Sequence, residues 1–215
     1  MSLYKTITVN PTTKVLIWKI EESFDELIED IELTTKSAAR VNNMKSELHQ
    51  RGFLSIRHLL ASEGYTDHDL YYDENGKPHL HNGLKISITH SFIFSAIIIS
   101  DIEVGIDVEK KREKILRIAH KFTTIEDYDK LHYIDVRIRK LTIVWCAKES
   151  LYKSFNRVGL TFLNHIDVDD FSLYYNETTA EVNFEDKRES YHIWFYEFEG
   201  FTCAYALLNE RKKNV

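Results

Sequence analysis

The chain of 215 residues is long enough to bury a substantial core, as one large domain or as two small ones. Its formal net charge of −6 argues against a nucleic-acid-binding protein, which usually carries a basic surface. The longest apolar run, near residues 92–99, is too short to span a bilayer, and two cysteines do not make a disulfide framework. No leading apolar stretch marks a signal peptide, so we expect a cytoplasmic protein.

The first third of the chain predicts one strand followed by helices. Residues 14–20 alternate as a strand does, and Ser23 with Glu26 forms a capping-box pattern for a first helix. Thr34 or Thr35 is a suitable N-cap for a second helix, and residues 45–61 predict a longer one. The turn-rich residues 73–78 end this part.

Three strands are predicted in quick succession after that turn, over residues 85–89, 92–100 and 104–109. The middle strand is nearly all apolar and is therefore expected to be buried on both faces. A helix is predicted over residues 137–155, and the tail returns to strands. We expect those strands at residues 168–174, 181–184, 192–198 and 202–207, with Gly200 in the last hairpin turn.

The third predicted strand carries two acidic side chains on one face. Asp107 and Glu109 are two residues apart, so both point the same way, while the apolar residues between them face inward. Gly105 shares the acidic face, and its lack of a side chain leaves room for a ligand. The alternative is a surface strand with two solvated acids.

The predicted helix carries a carboxylate and an ammonium group one turn apart. Glu149 and Lys153 are four residues apart and share a helix face. Lys148 points about 100° away from Glu149, so it is either structural or directed at another group. The alternative for the pair is an ordinary surface Glu–Lys contact.

Taken together and in this order, the segments resemble a known family. Gly105-Ile106-Asp107-Val108-Glu109 and the run from Trp145 to Lys153 match the G-I-D-x-E and W-x-x-K-E-[SA]-x-x-K motifs of the 4'-phosphopantetheinyl transferase superfamily. The segments Gly76-Lys77-Pro78 and Ile88-Thr89-His90-Ser91 resemble its G-K-P and I-S-H-S segments, with Thr89 in place of the usual serine. The length suits the larger single-chain, surfactin-synthetase-activating type.

The resemblance implies an α+β fold of two pseudo-symmetric halves, each an antiparallel sheet packed with helices, with the site at the interface between the halves. Residues 1–101 are expected to supply the contacts to the 3'-phosphate and adenine of the coenzyme. Residues 102–215 are expected to supply the metal and catalytic residues. A monomer is expected, because both halves lie in one chain.

The activity implied is the transfer of the 4'-phosphopantetheine arm of coenzyme A to a serine of an apo acyl or peptidyl carrier protein, with release of 3',5'-ADP. Asp107, Glu109 and Glu149 would bind Mg²⁺, whose preferred ligands are carboxylate oxygens. Two carboxylates about 4 Å apart repel by about 4 kcal/mol at an effective dielectric constant of about 20, so such a cluster needs a cation. Glu149 could also serve as the general base, directly or through a metal-bound water, and Lys153 would contact the phosphates.

The resemblance also assigns coenzyme contacts outside the two main motifs. The expected coenzyme-binding residues are Lys36, Arg51, Arg57, Lys77, Thr89, His90, Ser91 and Lys153. The alternative for Lys36, Arg51 and Arg57 is an ordinary surface charge. The sequence does not say which of them hold the 3'-phosphate.

A basic segment directly follows the acidic strand. It contains Lys110, Lys111, Arg112, Lys114, Arg117 and Lys121, and is either a solvated surface or a docking surface for an acidic carrier protein. Fatty-acid, polyketide and peptide-synthetase carriers are all compatible acceptors. Two other functions remain open: a metal-dependent phosphohydrolase of a nucleotide or coenzyme, and a non-catalytic module that binds coenzyme A or a carrier protein.

Overall fold

The computed structural model describes residues 3–124 and 131–209. The chain divides into two compact units, Met1–Asp101 and Ile102–Val215. Each unit contains one antiparallel sheet packed against helices, which confirms the predicted α+β class. Among the helices in the described part of the chain, none has the length and apolar character that crossing a membrane requires.

The sheet of the N-terminal unit has six strands, and every described pairing in it is antiparallel. Its spatial order is β1-β2-β6-β5-β4-β3. The strands are β1 (Leu3–Asn10), β2 (Thr13–Lys19), β3 (Leu70–Tyr72), β4 (Pro78–Leu80), β5 (Lys85–Ser91) and β6 (Phe94–Ser100). As expected from its apolar sequence, β6 is buried along its whole length.

Three helices pack against this sheet: α1 (Phe24–Glu29), α2 (Thr35–Asn42) and α3 (Glu47–Ser62). The capping box of Ser23 and Glu26 is present at α1, and the hydroxyl of Thr34 accepts the backbone N–H of Ser37 at α2. Both caps satisfy N–H groups that have no partner within the helix. The apolar face of α3 lies in the core, and a 3₁₀ turn at Asp67–Asp69 leads into β3.

The sheet of the C-terminal unit has five strands in the order β7-β11-β10-β9-β8. They are β7 (Val104–Lys110), β8 (Ile166–Val168), β9 (Glu177–Phe184), β10 (Lys187–Phe198) and β11 (Phe201–Leu208). The α-helices in the described part of this unit are α4 (Lys114–Ile118), α5 (Ile134–Phe155) and α6 (Phe162–His165). The long helix α5 is capped at its C-terminal end by Asn156, which adopts the left-handed conformation with φ of 49°.

The prediction of the tail strands was wrong at residues 168–174. The strand there is β8, which ends at Val168, and the chain then turns so that the N–H of Tyr175 donates to the carbonyl of Ser172. Tyr174 is 94% exposed, whereas Phe171 and Leu173 pack against the core from this turn and not from a strand. The sequence also gave no prediction of β1, β3 or β4.

Candidate active site

The close approach of α5 to β7 organises the candidate site. A Cβ atom built on Gly105 would lie 1.8 Å from the carbonyl oxygen of Ser150, so only glycine allows the helix backbone this close. Ala204 and Ala206 of β11 pair with Asp107 and Gly105 and extend the strip of small residues under the helix. The expectation that a ligand fills the space at Gly105 was wrong, because the backbone of α5 fills it.

Lys153 of α5 binds β7 directly. Its Nζ lies 2.7 Å from Oδ1 of Asp107 and donates a second hydrogen bond, 3.0 Å long, to the carbonyl of Ile106. The Asp107 residue is 6% exposed, and Lys153 is partly exposed. The ammonium group therefore offsets the charge of a buried carboxylate on the edge strand of the sheet.

Glu149 lies one turn before Lys153 on the same face of α5. Burial raises the pKa of Glu149 to about 7, repulsion by Asp107 and Glu109 adds to the rise, and Lys153 opposes it. Asp107 and Glu109 are thus close enough to Glu149 to influence its ionisation, and their negative charges disfavour a third one beside them.

The chemistry of these donors suits a hard divalent cation, because all three are carboxylates on neighbouring elements. Their positions do not enclose one: within residues 3–124 and 131–209 there is no group of three or more His, Cys, Asp or Glu side chains that could hold a metal ion. Oδ1 of Asp107 is instead bound by Lys153. A bound cation would therefore compete with, or be accommodated beside, this ammonium group.

Lys148 has a different environment from Glu149. It is 5% exposed, and its Nζ donates to the carbonyls of Phe162 at 2.9 Å and Ile166 at 2.6 Å. Burial lowers the pKa of Lys148 to about 8, although the charge of Asp167 opposes the shift. Of the two alternatives left open by the sequence, these contacts favour the structural one, an anchor between α5 and the segment that follows it.

Trp145 and Cys146, at the start of the second motif, both have packing surroundings. The indole of Trp145 lies against the rings of Phe122 and Phe162, with centroid distances of 5.1 and 5.3 Å. Cys146 is fully buried, and burial raises the pKa of its thiol. A thiol that ionises so reluctantly is a poor nucleophile, which agrees with a packing role.

In the N-terminal unit, β5 carries three of the expected coenzyme contacts at its end. Thr89 is buried, His90 is exposed and Ser91 is half-buried. The imidazole of His90 lies over Gly52 of α3, where an added Cβ would meet the ring at 3.2 Å. The sequence reasoning missed His49, whose ring centroid is 5.9 Å from that of His90; its place one turn before Gly52 on a helix is the only sequence signal for it.

The basic residues expected to meet the coenzyme have very different surroundings. Lys36 is exposed in the first turn of α2, and Arg51 is half-buried with Nη2 3.3 Å from the carbonyl of Ile20. Lys77 follows Gly76, which has a φ of +83°, in the turn before β4. Arg57 is 4% exposed, and its Nε lies 2.9 Å from Oδ1 of Asp67. The guanidinium of Arg57 is thus already bound within the core of the unit.

Comparison with known proteins agrees with the motifs. Residues 103–206 match the sequence model of the 4'-phosphopantetheinyl transferase superfamily. This stretch of the chain is therefore similar to that superfamily. The chain is also 28% identical over 146 residues to the 4'-phosphopantetheinyl transferase gsp of Aneurinibacillus migulanus, a match that covers 66% of this chain and 60% of that relative.

The stretch that matches the superfamily includes the basic segment and a small cavity next to it. The cavity has a volume of about 180 Å³, and its lining includes Glu109 and Trp145 together with Lys110, Arg112 and Lys114. Lys111 of the same segment pairs with Glu197 at 3.2 Å. The basic side chains around the cavity thus lie next to one of the three carboxylates.

Proposed function

We propose that the protein transfers the 4'-phosphopantetheine arm of coenzyme A to a serine of an apo carrier protein and releases 3',5'-ADP. The observation that carries the proposal is the contact of α5 with Gly105. It places Lys153 on Asp107 and brings Glu149 under the influence of the same acidic strand. The match of residues 103–206 to the superfamily model and the similarity to a named phosphopantetheinyl transferase support the same activity.

In the proposed reaction the serine hydroxyl attacks the phosphorus atom next to the pantetheine arm. A new P–O bond forms to the serine oxygen, the bridging P–O bond breaks, and 3',5'-ADP leaves with the bonding electron pair. Glu149 receives the serine proton, directly or through a water molecule. Lys153 contacts the phosphates and offsets the charge that develops on the leaving oxygen.

We propose that Asp107, Glu109 and Glu149 hold a Mg²⁺ ion. Bound there, the ion would neutralise charge on the pyrophosphate of the coenzyme. The support is the chemistry of the three donors and the raised pKa of Glu149, which burial causes and repulsion by Asp107 and Glu109 increases. Lys153 is already bound to Asp107 and would turn its ammonium group from this carboxylate towards the phosphates.

We assign the coenzyme contacts of the N-terminal unit, residues 1–101, to two groups of side chains. Thr89, His90 and Ser91 at the end of β5 would bind phosphate oxygens, and Lys77 would approach the adenine nucleotide. Lys36 and Arg51 would hold the 3'-phosphate, since both carry charges near the surface. Arg57 is left out of this set, because its buried guanidinium is paired with Asp67.

The basic segment is proposed to dock the carrier protein. Arg112 and Lys114 border the cavity that Glu109 also lines, so an acidic partner bound there would bring its serine towards the carboxylates. Whether the acceptor belongs to fatty-acid, polyketide or peptide synthesis is decided by testing one apo carrier of each class.

The activity is tested with a fluorescent coenzyme A analogue, Mg²⁺ and the three apo carriers. Label should move to at least one carrier, and Glu149→Gln should abolish transfer while leaving the protein folded. The matched control is Glu181→Gln, which alters a carboxylate on β9 that pairs with Arg188. Release of 3',5'-ADP without an acceptor would indicate a phosphohydrolase, and coenzyme binding without turnover would indicate a binding module.

We further propose that the protein acts as a monomer in the cytoplasm. Both units belong to one chain, and both cysteines are buried free thiols, as expected in a reducing compartment. Light scattering during size-exclusion chromatography tests the first point, and cell fractionation tests the second.

A further inference from the structure

The buried pair of Arg57 and Asp67 is bonded to the first turn of α2. The backbone N–H and the hydroxyl of Thr34 both donate to Oδ2 of Asp67, at 2.9 and 2.8 Å. The hydroxyl of Ser37 donates to Oδ1 at 3.0 Å and accepts from Nη2 of Arg57 at 3.3 Å. These bonds end on Thr34 and Ser37, which lie two residues before and one residue after Lys36.

The Arg57–Asp67 pair is deeply buried, and Arg57 has further contacts within α3. The Arg57 side chain is 3% exposed and that of Asp67 is 1% exposed. Arg57 also donates from Nη1 to the carbonyl of Phe53 at 3.2 Å, and its guanidinium carbon lies 3.5 Å from the centroid of the Phe53 ring. Burial raises the pKa of Asp67, but the bonds from Thr34 and Ser37 and the charge of Arg57 outweigh it and hold the pKa below its ordinary value.

The N-terminal end of α2 has little apolar anchoring of its own. Of its eight residues, all within the described part of the chain, Val41 is the one that is buried, and it lies near the C-terminal end. Leu33 packs against the core just before the helix, and the first turn itself, which carries the exposed Lys36, is held by hydrogen bonds to Asp67 and Arg57. A rigid turn preserves the direction of a lysine side chain better than a frayed one, because helix ends without caps fray readily.

We propose that the Arg57–Asp67 pair is a positioning device that fixes the first turn of α2 and so directs Lys36 towards the 3'-phosphate of coenzyme A. The inference rests on the proposed function, which assigns Lys36 to that phosphate. It gives Arg57 a role in coenzyme recognition that acts through another residue. Arg57 touches no ligand in this arrangement.

The test compares the dissociation constants of coenzyme A and 3'-dephospho-coenzyme A, measured by calorimetry on the full chain with Mg²⁺. Lys36→Ala should weaken coenzyme A binding about tenfold, the size of one charge-assisted hydrogen bond, and leave the dephospho ligand unchanged. Thr34→Val and Ser37→Ala, which free the turn but keep the buried ion pair, should weaken the binding of coenzyme A about threefold to tenfold and leave the binding of the dephospho ligand unchanged. Thr34→Ser, which keeps the hydroxyl, should restore wild-type binding.

The matched control is Thr13→Val, which removes a hydroxyl that bonds Ser100 at 2.7 Å in the sheet of the same unit. It should lower stability without changing the ratio of the two dissociation constants. If Lys36→Ala raises the dissociation constants of both ligands by the same factor, Lys36 does not bind the 3'-phosphate and the positioning role of the Arg57–Asp67 pair is rejected with it. If Lys36→Ala is selective but Thr34→Val and Ser37→Ala leave the ratio unchanged, the proposed function stands and the positioning role is overturned. A wild-type protein that binds neither ligand rejects the proposed function itself.

Discussion

The contact between Gly105 and α5 makes Gly105→Ala the most informative single substitution in the C-terminal unit. The added Cβ would lie 1.8 Å from the carbonyl oxygen of Ser150 and 2.6 Å from its carbonyl carbon. Contacts under 3.0 Å are essentially never found, so helix and strand must separate by about 1.2 Å (3.0 − 1.8). Both neighbours are backbone atoms, so no side-chain rotation relieves the clash.

Two consequences of that displacement can be measured separately. Overpacking of a core costs about 1–3 kcal/mol, and urea denaturation should show a loss of unfolding free energy in this range or larger. A displacement of about 1 Å at reacting groups costs about 100-fold in rate, so the transfer rate per folded molecule should fall by a similar factor. Both effects should appear together, because the same helix carries Glu149 and Lys153.

Gly64→Ala is the matched control for the change from glycine to alanine. Gly64 has a φ of +81° and no heavy atom within 4 Å of an added Cβ, so alanine there introduces backbone strain but no clash. It should cost about 1 kcal/mol of stability and leave the transfer rate per folded molecule unchanged. A Gly105→Ala protein with wild-type stability and wild-type rate would refute the argument that this contact builds the site.

Three further predictions concern charged side chains. The folded-state pKa of Glu149 is raised to about 7, so the metal-free protein should lose up to about 3 kcal/mol of unfolding free energy as the pH rises from about 4.5 to above 7. Glu149→Gln should remove this loss, and Mg²⁺ should reduce it in the wild type. The measurement is the unfolding free energy from urea denaturation across this pH range, and the same pH dependence in the wild type and the variant would contradict the prediction. The folded-state pKa of Lys148 is lowered to about 8, so stability should instead rise between about pH 8 and 10.5, and Lys148→Met should abolish that rise in the same assay. Arg112→Glu at the cavity beside Glu109 should raise the KM for an acidic carrier severalfold at low salt and leave the KM for coenzyme A unchanged; a KM for the carrier that does not depend on salt would contradict the docking role.

Local sequence patterns were sufficient to predict the helices and strands whose apolar residues recur with a clear period. The capping residues Ser23 and Thr34, the buried strand β6 and the helix α5 follow from side-chain alternation and from short polar patterns that act within a few residues. The strands β3 and β4 have three residues each, too few for a period to be visible. The segment after Val168 packs Phe171 and Leu173 against the core from a turn, and only tertiary contacts decide between a turn and a strand there.

The surroundings of the candidate residues were harder to predict than their identity. The motif spacing places Glu149 and Lys153 on one helix face, but it does not show that Lys153 binds Asp107 or that the backbone at Ser150 fills the space above Gly105. These facts depend on how closely α5 packs against the sheet. The small side chains of Ala204 and Ala206, on a strand about 100 residues after Gly105, also determine that distance. The metal, base and phosphate roles of these residues stay predictions.

Arg57 shows why the type of a residue does not reveal its role. An arginine in this position was expected to bind a phosphate, and an arginine can do so only if its guanidinium is accessible. Here Asp67, ten positions later, satisfies it within the core, and the pair in turn orders the turn that carries Lys36. Because truncating one partner of a buried ion pair leaves the other charge unpaired, an alanine scan would show a large effect at Arg57 for a direct and for an indirect role alike. The two roles are separated in the Lys36→Ala background. If Arg57 acts through Lys36, loosening the turn with Thr34→Val should no longer change the ratio of the dissociation constants of coenzyme A and its dephospho form.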